Sequence, residues 1–214
     1  MKPTNHNKVA IGLFILYWVV FIILAINPYA RDVWWAENLT IIPIVLILAG
    51  LYIKGIRFST TSYILMSFLI FIHTIGGHYT FARVPFGAVS EFFGFERNNY
   101  DRMGHFSVGL YAFAIAELLH VYSLARKKWV IICFALFSIM AVAAGYEIFE
   151  WWYAVMADPA AGIEVLGSQG DIWDAQKDML ADTLGAIVAL AAFLIVRCRN
   201  TVIIEPVKSG VKIS

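Results

Sequence analysis

The sequence has few charged residues, and this scarcity excludes an ordinary water-soluble domain. Only 14% of its 214 residues are charged, whereas 61% are apolar. Soluble globular domains carry about 25% charged and roughly 45–50% apolar residues. In a soluble protein of this length, the excess apolar side chains would have to cover the outer surface as well. Lipid is the solvent that accepts such a surface, so the composition predicts a helical bundle in a membrane.

Cysteines, net charge and internal repeats are also scarce, and each absence excludes a class of protein. The two cysteines, Cys133 and Cys198, are too few for a disulfide scaffold. Both are expected near the cytoplasmic ends of spans, where thiols stay reduced. A net charge of +1 provides no overall field for nucleic acid, which we exclude as a partner. Without a repeat or a low-complexity run, the length fits a single domain.

Long apolar stretches are what the sequence does contain. A helix needs about 20 apolar residues to cross the hydrocarbon core. Six stretches are expected to be spans: about 9–27, 38–54, 61–80, 104–125, 129–151 and 177–197. The first exceeds the usual apolar core of a signal peptide and should be retained, and the second places Pro43 in its first turns, where a missing N–H is tolerated. We expect one all-α transmembrane domain of residues 1–199 and a short cytoplasmic tail, 200–214.

Basic residues predict the orientation of the bundle, because lysine and arginine are enriched in cytoplasmic segments. With the N-terminus inside, 11 of the 16 fall on the cytoplasmic side: Lys2, Lys8, Lys54, Arg57, Arg126, Lys127, Lys128, Arg197, Arg199, Lys208 and Lys212. The others fall outside: Arg31, Arg83, Arg97, Arg102 and Lys177. We therefore expect both termini in the cytoplasm and a multi-pass protein of the bacterial inner membrane, in contact with membrane lipids.

Two connections between the expected spans are long, at about 81–103 and 152–176, and both would then face outward. They are polar and contain glycine, and long loops beside a rigid scaffold commonly carry function. Five tryptophans fall at the outer ends of the expected spans, as in an interfacial aromatic belt: Trp34, Trp35, Trp151, Trp152 and Trp173. These features predict a functional site on the extracytoplasmic face.

Ionisable side chains concentrate in one layer at the outer ends of the expected spans. Asp101 and His105 begin span four at an i, i+4 spacing and share a face. Span five ends in two glutamates three residues apart, and three aspartates form one stripe at the start of span six. The members of this layer are His78, Asp101, His105, Glu147, Glu150, Asp174, Asp178 and Asp182. The convergence of four spans on this layer is the main functional signal.

A structural interpretation exists for several of these residues. Asp101 and Asp174 stand where acids cap a helix N-terminus and are stabilised by its dipole. Glu147 and Glu150 end a helix, where the dipole opposes a negative charge. Asp182 lies deeper, at a nominal cost of about 2.5–3.5 kcal/mol near the helix centre. The last three residues therefore need partners that capping does not provide.

Histidine nitrogen combined with carboxylate oxygen suits zinc, manganese or magnesium. We expect a divalent metal on His78, His105, Glu150 and Asp178, and catalysis by Asp101, His105, Glu147, Glu150, Asp174 and Asp178. Arg83 and Arg102 would bind a phosphate or carboxylate bidentately, and Gln169, Trp151 and Trp173 would complete the substrate site. The spacing matches no sharp metal signature such as H-E-x-x-H.

A second group of ionisable residues lies deeper in the expected spans. Glu117 and His120 stand i, i+3 near the inner end of span four, and His73 is midway along span three. These residues predict either a proton or ion path or an interhelical salt bridge or hydrogen bond.

Four blocks resemble the YjdF family of bacterial inner-membrane proteins. They are N-N-Y-D-R-M-G-H-F at 98–106, H-Y-T-F-A-R-V-P-F-G at 78–87, E-I-F-E-W at 147–151 and Q-G-D-I-W-D-A-Q-K-D-M at 169–179. Their order is the same and the resemblance spans roughly residues 10–197. It implies a membrane fold and no particular activity.

A more distant likeness is to VanZ-like membrane proteins, which are associated with resistance to glycopeptide antibiotics. Their D-K-x-x-H-F pattern resembles residues 101–106, with Arg102 in place of lysine. Their D-x-x-x-N-x-x-G pattern resembles Asp178, Asp182 and Gly185, with aspartate in place of asparagine. Their E-x-x-Q element is half matched, by Glu147 and Glu150.

Three functions follow from these observations. The first is a metal-assisted membrane enzyme acting from the outer leaflet on a lipid or envelope precursor, a lipid-linked or anionic small molecule. The second is an ion-coupled transporter, in which Glu117, His120 and His73 continue a polar path. The third is a non-catalytic accessory or binding protein, in which the polar layer closes an outer cap.

Overall fold

The computed structural model describes residues 5–156, 159–166 and 168–199 of the chain. The regular elements in these ranges are helices: α1 (Asn5–Leu24), α2 (Arg31–Ile53), α3 (Thr60–Tyr79), α4 (Gly87–Phe93), α5 (Tyr100–Gly109), α6 (Tyr111–Val121), α7 (Lys128–Met156), α8 (Pro159–Leu166) and α9 (Asp174–Arg199). Within the same ranges, six segments are long and apolar enough to cross a membrane, α5 and α6 together forming the fourth. The six predicted spans are confirmed, and the predicted tail, 200–214, lies outside the described residues.

The outer surface of the bundle is apolar, as contact with lipid requires. Ile15 and Ile22 on α1, Phe137 on α7 and Ile187 on α9 are between 49% and 62% exposed. Side chains of this kind would not cover a water-soluble helical domain so densely.

The second span begins earlier than the hydropathy of the sequence predicted. α2 starts at Arg31 and not near residue 38, because the polar turns before the apolar stretch continue the same helix. Asp32 lies in the first turn, where the helix dipole favours an acid. Glu37 is therefore a buried helical residue, and Pro43 lies in the helix interior and not in the first turns as we expected.

The fourth span is interrupted at Leu110. The backbone N–H of Leu110 bonds the carbonyl oxygen of Ser107 at 3.2 Å, and that of Phe113 bonds Leu110 at 3.2 Å. These bonds reach back three residues and tighten the helix locally. The half that carries Asp101 and His105, α5, is thus a separate short helix.

The close approach of α5 and α9 places the polar residues of the two helices side by side. A Cβ added at Gly185 would lie 2.1 Å from the carbonyl oxygen of Phe106, and one at Gly109 would lie 2.3 Å from that of Asp182. Only glycine permits such an approach, and small residues bring helix backbones together in membranes in this way. His105, one turn before Gly109, consequently faces Asp182.

The two long connections are largely helical and lie at the end of the bundle where α2, α5 and α9 begin, which we call the polar end. The first contains the 3₁₀ turn Phe81–Arg83 and α4, on which Phe92 is 81% exposed. The second contains α8, which packs against α2 through Val165 and Val33.

At the opposite end of the bundle, Glu117 of α6 caps the start of α3. One carboxylate oxygen accepts a hydrogen bond from the backbone N–H of Ser59 at 2.8 Å. The other accepts from the Ser59 hydroxyl at 2.9 Å and from the Ser62 hydroxyl. Glu117 thus satisfies N–H and hydroxyl donors at a helix N-terminus, where a negative charge is favourable. These contacts agree with the interhelical hydrogen bond that we predicted as one of two interpretations.

Candidate functional site

His105 of α5 lies among four carboxylates from three helices. Its Nδ1 is 3.0 Å from Asp182 Oδ2. Its Nε2 lies 3.7 Å from Asp178 Oδ1, 3.8 Å from Asp101 Oδ1 and 3.9 Å from Glu147 Oε1. The histidine side chain is 6% exposed and those of Asp178 and Asp182 are 2% and 0% exposed. One imidazole therefore joins α5, α7 and α9 inside the protein.

Three of these groups are close enough to hold one metal ion. One ligand atom each from Asp101, His105 and Asp178 all lie within 4.8 Å of one another. In a tetrahedral zinc site, bonds of about 2.0–2.2 Å place neighbouring ligand atoms roughly 3.3–3.6 Å apart. His105 Nε2 lies 3.7 Å from Asp178 and 3.8 Å from Asp101, so these two ligand pairs would have to approach only slightly to reach that spacing.

Two buried carboxylate oxygens near His105 have neither a hydrogen bond nor an arginine partner, unlike Asp178 Oδ1, which pairs with Arg102. They are Glu147 Oε1 and Asp182 Oδ1, and both are inaccessible to solvent. A buried carboxylate oxygen without a partner is costly, and a cation removes that cost. The donor set and the unpartnered Glu147 Oε1, which lies 3.9 Å from His105 Nε2, together fit a divalent ion.

An arginine–aspartate cluster closes one side of the site and consists of Arg97, Arg102, Asp171, Asp174 and Asp178. Asp174 Oδ1 accepts hydrogen bonds from Arg97 at 2.6 Å and from Arg102 at 2.5 Å. Arg102 also pairs with Asp178. Both guanidinium groups are thus engaged by acids at or just before the start of α9, and an anion at Arg102 would compete with the carboxylates of Asp171, Asp174 and Asp178.

Asp171 of this cluster lies just before α9, outside the spans. Its Oδ2 accepts a hydrogen bond from Lys177 Nζ at 2.6 Å, and its Oδ1 accepts one from the backbone N–H of Trp173 at 3.0 Å. The hydrogen bond from Lys177 is the main cause that lowers the pKa of Asp171 below its ordinary value. Asp171 is therefore ionised at neutral pH, and with Lys177 included the cluster contains three basic and three acidic side chains.

A cavity of about 100 Å³ lies beside His105, on the side away from the arginine–aspartate cluster. One side is formed by Asp101, His105 and Asp182. The other, which we call the Glu37 wall, is formed by Glu37, Thr40, His73, Tyr146 and Glu150. The space is sufficient for several waters or a small polar group.

Contacts within the Glu37 wall are centred on His73 of α3. Its Nε2 lies 3.3 Å from the Tyr146 hydroxyl, 3.5 Å from the Thr40 hydroxyl and 3.6 Å from Glu37 Oε2. Glu37 is 4% exposed and Glu150 is 7% exposed. Gly77 permits the approach of α2, because a Cβ there would lie 3.0 Å from that of Glu37. Helices α2, α3 and α7 thus add a second polar side to the site.

The structure brings most of the predicted catalytic residues together. Asp101, Glu147 and Asp178 surround His105. Asp174 accepts hydrogen bonds from Arg97 and Arg102 beside this group. Glu150 lines the cavity.

Other predicted residues lie apart from this group. His78 Nδ1 contacts the carbonyl oxygen of Leu24 at 2.7 Å. Arg83 bonds the Thr80 hydroxyl at 3.0 Å and stacks 4.3 Å from the centre of the Tyr29 ring. Neither side chain lines the cavity.

The three remaining predicted substrate residues lie toward the surface of the polar end. Gln169 makes two hydrogen bonds with the backbone of Asn98, at 2.9 and 3.1 Å. Trp151 and Trp173 are each 59% exposed. These two tryptophans fit a border with lipid better than a contact inside the cavity.

Sequence reasoning missed Glu37, Thr40 and Tyr146, and it assigned His73 to a different path. Glu37 and Thr40 stand three residues apart at the start of an apolar run, so they share a helix face once α2 is extended. Tyr146 precedes Glu147 and lies one turn before Glu150. The signal was therefore present, but the predicted second span began at about residue 38 and left Glu37 outside it, whereas α2 begins at Arg31.

Comparisons with known proteins agree with the membrane fold. The sequence profile described as "Predicted membrane protein (DUF2238)" matches residues 9–199. The chain is 34% identical over 210 residues to the inner membrane protein YjdF of Escherichia coli (strain K12), with 94% of each chain covered. No solved structure matches. The resemblance predicted from the four sequence blocks is confirmed, and the likeness to VanZ-like proteins stays a prediction.

Proposed function

The chain belongs to the family described as "Predicted membrane protein (DUF2238)", and we propose that this multi-pass inner membrane protein is a metal-assisted enzyme acting on a lipid or envelope precursor. One observation carries the proposal. Asp182 holds His105 through Nδ1, so that Nε2 faces the oxygens of Asp101, Asp178 and Glu147. Histidines that bind metals usually donate their other N–H to a carboxylate in this way.

The residues around His105 divide into distinct roles. Asp101, His105 and Asp178 are the metal ligands, and zinc, manganese or magnesium suits their mixed nitrogen and oxygen donors. A metal there supplies Lewis acidity and an activated water. Glu147, with one unpartnered oxygen 3.9 Å from His105 Nε2, is placed to accept a proton.

The surroundings of the site support a substrate that arrives from the membrane. Trp151 and Trp173 are exposed at the polar end, where aromatic side chains favour the membrane interface. Val165 of α8 lines the cavity and covers it from the loop side. A lipid-linked molecule can therefore place its polar group in the cavity while its chain stays in the bilayer.

The ion-coupled transporter, our alternative, receives less support from these contacts. Glu117 is held by Ser59 and Ser62 at the opposite end of the bundle. Leu110, Phe113 and Ala116 pack in an apolar cluster between His105 and Glu117 along the fourth span. A path through that cluster would lack polar groups to carry an ion.

A non-catalytic accessory role is favoured by the arginine–aspartate cluster alone. Its ion pairs tie residues 97 and 102 to the start of α9, as a structural cap would. The metal content of the purified protein distinguishes this accessory role from the metal-assisted enzyme.

The first test is the metal content of the detergent-purified full chain after supplementation with zinc, manganese and magnesium. We expect close to one ion per chain in the wild type, and loss of that ion in Asp101→Asn and His105→Ala, because each removes a ligand. Asp32→Asn is the matched control, since Asp32 is exposed at the start of α2. A folded, metal-free wild type, or equal metal in all four proteins, would contradict the proposal.

The second test is chemical. Metal-loaded protein is incubated with vesicles of bacterial inner-membrane lipid, and the products are identified by mass spectrometry. We expect a new lipid product that is absent with Asp101→Asn and present with Asp32→Asn. Metal binding without any product would retain the site but refute this substrate class.

A further inference from the structure

We propose that the Glu37 wall binds a primary ammonium group of the substrate, so that the enzyme acts on a phospholipid whose headgroup ends in an amine. The inference rests on the proposed metal-assisted function and adds the substrate class to it. Asp101 and His105, two of the proposed metal ligands, form one side of the cavity beside His105, and the Glu37 wall faces the same cavity.

The first observation is Glu150. It is 7% exposed and lines the cavity. Among the described residues it has no hydrogen bond or ion pair, and the groups that act on it electrostatically include Asp101, Glu147 and Glu37, all acidic. A buried carboxyl group surrounded by other acids is neutralised by a proton or by a bound cation, and a cation with N–H donors also supplies the hydrogen bonds that Glu150 lacks.

The second observation is the charge of the cavity as a whole. The described residues that line it include the acids Glu37, Asp101, Glu150 and Asp182, and none of the lining residues is lysine or arginine. The nearby arginines, Arg97 and Arg102, do not line the cavity: both pair with Asp174, and Arg102 also pairs with Asp178. The cavity therefore disfavours a bare anion and favours a group that brings positive charge.

The shape of the Glu37 wall distinguishes an ammonium group from a second metal ion. Among the described residues, the one group of three ligand atoms close enough for a metal is that of Asp101, His105 and Asp178. Glu37, His73 and Glu150 are more widely spread. An ammonium has three N–H donors and suits acceptors around a wider space, and the rings of Tyr146 and Phe81, which also line the cavity, provide faces for a cation.

The volume limits what the ammonium is attached to. A cavity of about 100 Å³ has room for a short amino-alcohol and not for a sugar or a peptide. With the ammonium at Glu37 and Glu150, a phosphate ester a few bonds away would lie toward Asp101 and His105, which line the same cavity. Asp101, His105 and Asp178 would hold the divalent ion whose charge would offset that of the phosphate, which the acidic lining alone would repel.

The test measures the thermal unfolding midpoint of the metal-loaded full chain with increasing ethanolamine hydrochloride. We expect a saturable rise in the wild type that is absent with sodium chloride or sodium phosphate at the same ionic strength. Glu150→Gln should weaken binding and so raise the half-saturating concentration of ethanolamine tenfold or more. The matched control, Glu91→Gln, changes an exposed glutamate of α4 and should behave as the wild type does.

A second arm identifies the source of the ammonium group. The same midpoint is measured in mixed micelles that contain either phosphatidylethanolamine or phosphatidylglycerol. We expect the rise only with phosphatidylethanolamine. A rise with free ethanolamine alone would overturn the lipid assignment, and a rise of equal size with both lipids would overturn the ammonium site.

Metal content is determined in the same samples, so that the two proposals fail separately. About one bound metal ion per chain, with no change of the unfolding midpoint on addition of ethanolamine, overturns the ammonium site and leaves the metal site intact. An effect of ethanolamine in a metal-free wild type overturns the metal-assisted reaction. Should Glu150→Gln not fold, Glu37→Gln serves as the second variant, and unchanged ethanolamine binding in it would likewise overturn the inference.

Discussion

Asp182 has no exposed surface, and one of its oxygens lies 3.0 Å from His105 Nδ1 while the other has no hydrogen bond. An acid at this depth in a spanning helix is unfavourable unless it is paired. The pairing also orients the imidazole, because the Nδ1 proton leaves Nε2 free to bind a metal. At the scale of single residues, Asp182 therefore acts through His105 and does not itself contact the proposed ion.

Replacement of Asp182 tests this positioning role. Asp182→Asn removes the charge but keeps the shape, and we expect the metal affinity to fall by roughly 10–100-fold, the usual effect of removing such a partner. The affinity is measured by competition with a chelator of known strength. Asp32→Asn serves as the control. An unchanged affinity in a folded Asp182→Asn protein would show that His105 does not depend on Asp182.

At the scale of elements, the site depends on how close α5 and α9 approach each other. The contact is built from Gly109 and Gly185, where an added Cβ would lie less than 2.5 Å from backbone atoms of the opposite helix. Backbone cannot move aside as a flexible side chain does, so a methyl group at either position separates the helices. His105 would then move away from Asp178 and Asp182, which α9 carries.

Gly185→Ala tests the contribution of this contact. We expect a loss of stability of about 1–3 kcal/mol or more, as for other overpacked sites, together with weaker metal binding. The unfolding midpoint and the metal content of the purified protein are the measurements. Gly12→Ala is the matched control, because nothing lies within 4 Å of its added Cβ and alanine favours a helix. Equal destabilisation by both substitutions would indicate that the close contact is unimportant.

At the scale of the whole molecule, ionisable groups are concentrated at the polar end of a bundle whose sides are apolar. We propose that residues 1–199 form one transmembrane domain. Six spans return the chain to the side on which it started, and the distribution of basic residues predicts that this side is cytoplasmic. The polar end would then face the extracytoplasmic side, where the proposed lipid substrate is reached from the outer leaflet.

Cysteine labelling tests this orientation. In a chain with Cys133 and Cys198 replaced by serine, Glu91→Cys should react with a membrane-impermeant maleimide in cells whose inner membrane is intact. Arg126→Cys should react only after that membrane is permeabilised. The opposite pattern would reverse the predicted topology and place the site on the cytoplasmic side.

The sequence by itself determined the membrane environment, the number of spans and the common level of Asp101, His105, Glu147 and Asp178 at one end of the bundle, because hydropathy and helical spacing are properties of neighbouring residues along the chain. The tertiary structure alone decided which of those residues meet. The glycine contact between α5 and α9 joins His105 to Asp178 and Asp182, whereas His78, at a similar depth, turns toward Leu24. The Glu37 wall also required the structure, because the neighbours of a span and its rotation are set by packing between helices, which leaves no periodic signal in any one of them.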